Sequence, residues 1–165
     1  MTTQDLNLSD AIKLAKEAEQ KAAALYGDAA TKTPNPLAQK LFQRLAEFEQ
    51  HHYDKLVALE TSLRERGAFI AYEGEELSLP APGEVSGIPE PNKMSMMQII
   101  TMAQEVERKA ETRYNELAAR TTDPAGQAMF KRLAEEELDH YHLLRNVYWN
   151  LNDHGTWSWS KQAAT

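Results

Sequence analysis

A chain of 165 residues, 42% hydrophobic and 26% charged, is long enough to bury a substantial core and has the balance of an ordinary soluble globular domain. Its net charge of −7, without a clustered basic surface, argues against a nucleic-acid role, and no polybasic patch or membrane-length apolar run points to a bilayer. The absence of cysteine removes disulfides, thiolate metal sites and cysteine nucleophiles together.

Residues 1–8 read as a loose lead-in, and the polar stretch from Met1 to Asp10 lacks the apolar core of a signal peptide, so a cytoplasmic protein is expected. Ser9 or Asp10 can cap a first helix over residues 9–31, rich in Ala, Lys and Glu. The run Thr33-Pro34-Asn35-Pro36 breaks it, and Asn35-Pro36 restarts the chain as a second helix over 35–66, with a capping residue followed by proline in the first turn. Gly67 supplies its stop. Between 67 and 93 prolines and glycines lie among acidic and small residues, which rules out a long helix and predicts a crossover. Phe69, Ile70 and Tyr72 should pack its start onto the protein. Two more helices follow, over 94–121 and 124–152, the latter opened by Asp123-Pro124. In the tail, 153–165, Trp157 and Trp159 follow Gly155; with Trp149 they are expected to cap the helices or a subunit contact rather than bind a ligand.

The apolar stripes of these helices carry charge in their middles. Phe130, Leu133, Glu137, His140, Leu144, Val147 and Leu151 advance in steps of three and four along one face, and so do Ala38, Phe42, Leu45, Glu49, His52, Leu56, Leu59 and Leu63. Each ladder sets a Glu-x-x-His where core residues belong. One helix upstream of each, the ladders Ile12, Ala15, Glu19, Ala22, Tyr26, Ala29 and Ile100, Ala103, Glu107, Ala110, Tyr114, Leu117 carry one further core-facing Glu. A carboxylate is almost never fully buried without a partner, because desolvating it costs several kcal/mol.

The halves superpose without a gap at an offset of 88: Glu19 on Glu107, Glu49 on Glu137, His52 on His140, Tyr26 on Tyr114. From Ile12–Leu56 onto Ile100–Leu144, 20 of 45 positions are identical, against roughly one in sixteen for unrelated segments of ordinary composition. The chain is an internal duplication. It predicts an all-α fold: a single antiparallel four-helix bundle of the ferritin-like kind, made of two duplicated hairpins joined by one long crossover.

One Glu from each of two helices and a Glu-x-x-His from each of the other two form the ligand set of di-iron and di-manganese carboxylate bundles. Four glutamates neutralise two divalent ions and leave two neutral imidazoles as ligands. Oxygen-rich ligation suits iron or manganese, and zinc can occupy such a site. The predicted ligands are Glu19, Glu49, His52, Glu107, Glu137 and His140, with Glu49-x-x-His52 and Glu137-x-x-His140 centring one ion each and Glu19 and Glu107 left to complete or bridge the centre. Glu111, four residues after Glu107, is a candidate extra carboxylate; its repeat counterpart is Ala23. Tyr26 and Tyr114 lie two turns beyond the helix glutamates, and because helical side chains lean toward the N-terminus their hydroxyls can support a ligand carboxylate. Asp139-x-x-His142, His51, His154 and the recurring Glu17, Glu47, Glu105 and Glu135 fall off the ladders and are expected outside the site.

These motifs make residues 9–152 resemble the rubrerythrin branch of the ferritin-like superfamily. That resemblance implies the same six ligands, with Tyr26 and Tyr114 near the carboxylates. It also implies a di-iron oxidoreductase reducing hydrogen peroxide, with relatives that oxidise ferrous iron or activate dioxygen. Two features depart from the branch. Its typical members add a four-cysteine rubredoxin-like site, absent here, so electrons would come from an external donor. They also carry a further glutamate where this chain has Ala110. The alternatives are a ferroxidase or iron-handling protein and a non-enzymatic metal-binding bundle; a homodimer is expected.

Overall fold

The computed structural model describes residues 7–80 and 88–160; the rest of the lead-in, the middle of the crossover and the end of the tail lie outside the described residues. Four helices account for the regular structure: α1 (Leu8–Ala30), α2 (Pro36–Arg66), α3 (Lys93–Arg120) and α4 (Pro124–His154). Among the described residues, none of these helices is long and apolar enough to cross a membrane.

The duplication extends to the signals that begin and end the helices. Asn35 caps α2 by accepting from the amides of Leu37 and Ala38, and Asp123 caps α4 through Ala125 and Gly126, each followed by proline in the first turn. Gln39 and Gln127 then reach back to the carbonyls of Thr33 and Thr121, at 3.0 and 2.8 Å. Gly67 and Gly155, again 88 apart, end the two helices in the left-handed conformation at φ 63° and 68°, which costs glycine nothing and other residues a steric clash. That stop carries α4 two residues beyond the expected 152. The cap of α1 differs from expectation: Asn7, not Ser9 or Asp10, faces outward from the first turn and accepts from the Asp10 amide at 2.8 Å.

The core divides into two apolar clusters. One joins the end of α1 and the start of α2 to the start of α3 and the end of α4, with Tyr26, Phe42, Ile100, Leu144 and the tail residues Trp157 and Trp159. The other joins the opposite ends, with Ile12, Leu59, Leu117 and Phe130. Each helix therefore runs antiparallel to its hairpin partner, and α1 runs antiparallel to α3, against which it also packs. The polar ladder residues lie in the layer between the clusters.

Because α2 ends and α3 begins at opposite ends of the bundle, the connector must travel its length. Phe69, Ile70 and Tyr72 pack on the second cluster and Leu77 and Leu79 on the first. Phe69 stands edge-on to Phe130 at 6.2 Å and presses so close to Gly126 that a Cβ there would meet its ring at 2.7 Å. At the far end the tail closes the bundle. Trp157 and Trp159 are buried, and the Trp157 indole donates to the buried Glu90 at 3.1 Å, which also accepts from Thr33. Trp149, by contrast, is exposed.

Candidate metal centre

The six ladder residues Glu19, Glu49, His52, Glu107, Glu137 and His140 are all buried and meet at the middle of the bundle. Their contacts repeat across the two halves. His52 Nδ1 lies 2.7 Å from Glu137, 3.3 Å from Glu19 and 3.5 Å from Glu49. His140 Nδ1 lies 3.0 Å from Glu49, 3.5 Å from Glu107 and 3.9 Å from Glu137. The imidazoles are nearly parallel, 6.4 Å apart, with Phe48 edge-on to both at 5.0 and 4.5 Å.

Two groups of four potential ligand atoms result, each within 4.8 Å of one another: Glu19, Glu49, His52 and Glu137 in one, Glu49, Glu107, Glu137 and His140 in the other. The acids common to both are Glu49 and Glu137, from the Glu-x-x-His motifs. Glu19 and Glu107 each belong to one group only.

Tyr26 and Tyr114 do reach carboxylates, but across the pseudo-twofold. Tyr26 donates to Glu107 and Tyr114 to Glu19, both at 2.5 Å. Antiparallel α1 and α3 bring the later residue of one helix level with the acid of the other. Glu111 turns outward to Arg108 at 3.1 Å and joins neither group. Asp139 and His142 are exposed, and so are Glu17, Glu47, Glu105 and Glu135; His51 is half-buried and engages Glu75 at 2.6 Å.

Without metal, protons keep this layer neutral. Burial alone would raise Glu19, yet the charge of His52, with hydrogen bonds from Glu49, His52 and Tyr114, pulls it down to about 2. Burial likewise opposes ionisation of Glu107, but hydrogen bonding to Glu137 and the charge of His140 hold it below its ordinary value. Burial and the negative charges of Glu107 and Glu19 push Glu49 up to about 8, and burial with Glu107, Glu49 and Glu19 pushes Glu137 well above the carboxylate range. Burial would lower both histidines, but the neighbouring acids override it, raising His52 well above its usual value and His140 to about 10. Two ionised acids, two protonated acids and two imidazolium rings sum to zero.

A further buried carboxylate was not singled out by the helical ladders. Glu136 accepts from the Tyr72 hydroxyl at 2.7 and 2.8 Å and from the Glu75 amide at 2.8 Å, and lies 3.7 Å from His52 Nε2. Burial raises its pKa, but the nearby charged ring of His52, with the Tyr72 and Glu75 donors, outweighs it and holds the group below its ordinary value. The signal for it is a mismatch in the repeat: the counterpart of Glu136 is Phe48, and 136 lies three residues after Leu133 and four before His140. Gly74 makes room for the contact. At φ 91° it sits where a Cβ would fall 2.1 Å from Arg132 Nε, whose guanidinium reaches toward Glu136 at 4.0 Å.

The donor set passes a test of fit to two metal ions. Glu49 Oε2 and Glu107 Oε2 are buried without a hydrogen-bond partner, a costly condition that coordination would relieve. Four carboxylates and two imidazoles also match the charge and hardness of two divalent ions.

A four-helix bundle with this buried carboxylate and histidine layer has the architecture of the ferritin-like class. The rubrerythrin family model matches residues 1–60 and 92–157, most of both repeats, and the chain belongs to that family. Among solved structures it is similar to a hypothetical protein from Pyrococcus furiosus, at 22% identity and a TM-score of 0.73 over 92% of this chain and 94% of the other. At that identity the likeness speaks for the fold. No curated protein matches the chain.

Proposed function

We propose that the protein is a di-iron oxidoreductase of rubrerythrin type, reducing hydrogen peroxide with electrons from a separate donor. The observation that carries the reading is the pair of overlapping four-ligand groups sharing Glu49 and Glu137. Glu19, Glu49, His52 and Glu137 would hold one ion, and Glu49, Glu107, Glu137 and His140 the other. When bound, a ferrous pair would supply the two electrons needed to cleave an O–O bond, together with Lewis acidity.

The chain's own contribution is placement and proton control. Tyr26 and Tyr114 fix the orientation of Glu107 and Glu19, and burial and the nearby acids keep their phenols protonated. The flanking apolar clusters exclude bulk water from the layer, which strengthens every charge interaction within it. A small cavity beside Glu19, Glu49 and Glu137 gives a compact oxidant room next to the acids. Manganese or zinc fit the same donors.

Anaerobic loading with ferrous iron, followed by peroxide or dioxygen, tests the proposal. Rapid oxidation by stoichiometric peroxide and slow oxidation by dioxygen is the expected result. Oxygen-driven turnover of excess iron would replace the reading with a ferroxidase, and an inert zinc-only site would replace it with a metal-stabilised bundle.

A further inference from the structure

Between α1 and α3 a cavity of about 130 Å³ opens beside the carboxylate layer. That is room for a small inorganic ligand beside the acids. Buried Glu19, Glu49 and Glu137 line its inner side, and the small side chains of Ala22 and Ala110 leave its walls open. Lys21, Lys109 and Arg113 also line it; the two lysines are exposed and the arginine half-buried, so they form its outer rim. Lys21 and Lys109 are repeat mates 88 apart, which sets the opening on the pseudo-twofold axis. None of the three cations is ion-paired among the described residues.

We infer that this cavity is the ligand entrance of the di-metal centre, and that its cationic rim selects small anions, with small neutral molecules admitted and divalent cations disfavoured. The inference rests on the di-metal reading and adds the charge class of what reaches it. In a chain of net charge −7, three unpaired cations converging on one narrow mouth form a local positive field that an approaching anion meets before the buried acids. The same field opposes ferrous iron arriving by this route. Low-dielectric walls focus it, and salt screens it over about 10 Å at 0.1 M.

The test uses the full chain loaded with two irons and azide as the anionic probe, followed by its optical absorption, with nitric oxide on the diferrous protein as the neutral probe. The triple variant Lys21→Gln, Lys109→Gln, Arg113→Gln should bind azide about tenfold more weakly at low salt, about twofold per charge removed. It should also lose most of the salt dependence of azide binding. Nitric oxide affinity should stay within twofold. A control with the same charge loss on exposed positions away from the mouth, Lys13→Gln, Lys40→Gln, Lys131→Gln, should behave as the parent. Ala110→Leu, which fills the cavity wall, should slow entry of both probes. If the triple variant retains two irons and binds azide as the parent does, or loses both probes equally, the rim has no selecting role and the inference is overturned. If the parent chain binds no iron, the di-metal reading falls and the inference falls with it.

Discussion

Proton release on metal binding offers the sharpest check on the centre. At pH 7 the metal-free layer holds four displaceable protons: one on Glu49, pushed up to about 8, one on Glu137, and one beyond neutrality on each of His52 and His140. Glu19 and Glu107 are already ionised. Two divalent ions bound by four carboxylates and two neutral imidazoles again give zero net charge, so the ions replace the protons charge for charge. Binding two ions at pH 7 should therefore release about four protons. Each proton contributes about 1.36 kcal/mol per pH unit, so the overall affinity for the pair should rise by about 5.4 kcal/mol, or ~10⁴-fold, per unit. The sign follows from competition: acid weakens binding and base strengthens it. The slope should lessen above about pH 8, where Glu49 gives up its proton unaided, and again toward 10, where His140 does. Anaerobic calorimetric titration with ferrous iron or zinc, in buffers of equal pH but different ionisation enthalpy, measures the proton count directly. Release of fewer than two protons for two ions would show that the acids are ionised before metal arrives, and would refute the neutral-layer argument.

Other substitutions separate the roles of individual groups. Glu49→Gln and Glu137→Gln imitate the protonated acids, so each metal-free variant should melt within a few degrees of the parent while binding of the metal pair is lost, as read by melting with and without metal. Tyr26→Phe and Tyr114→Phe each remove a hydrogen bond to a buried charged acceptor, about 2 kcal/mol. For a chain of this size the metal-free midpoint should fall by about 4–8 °C. His52→Ala and His140→Ala should each reduce metal stoichiometry below two, whereas His51→Ala and His142→Ala should leave two per chain; the reverse pattern would remove the site assignment. Glu136→Gln should weaken the ion on the His52 side about 10–100-fold and spare the other, as read by metal titration. It should also raise the hydrogen-exchange rate of the Glu75 amide, which a change confined to the ligands would not.

The bundle and its six converging side chains were legible because charge interrupts an apolar stripe at matched positions in two repeats. A single Glu-x-x-His would carry little weight; four acids and two imidazoles at one offset cannot be arranged as a solvated face. What escaped the sequence depended on directions across the bundle, which helical spacing does not encode. The ladders show that Glu19 and Glu107 face inward, but not that the motif acids Glu49 and Glu137 are the shared pair. They place Tyr26 near the layer, but its partner proves to be Glu107 of the other repeat. Glu111 lay close enough to the ligand face to be a candidate, but its carboxylate pairs with Arg108, three residues before it on the same helix.

The departures from twofold symmetry share one physical origin. Duplicating a hairpin duplicates its ligands and caps, but two hairpins in one chain need a single connector, and only one side of the centre can receive it. That connector brings Tyr72 and the Glu75 amide to Glu136, whose carboxylate lies 3.7 Å from His52 Nε2. On the other side the matching position is Phe48, an aromatic edge with no charge to offer. A carboxylate near one imidazole and none near the other makes the surroundings of His52 and His140 unequal, although the six ladder residues correspond one for one. The expected outcome for the proposed centre is therefore stepwise loading, the His52 side first, read as two resolved phases in a metal titration of the parent chain.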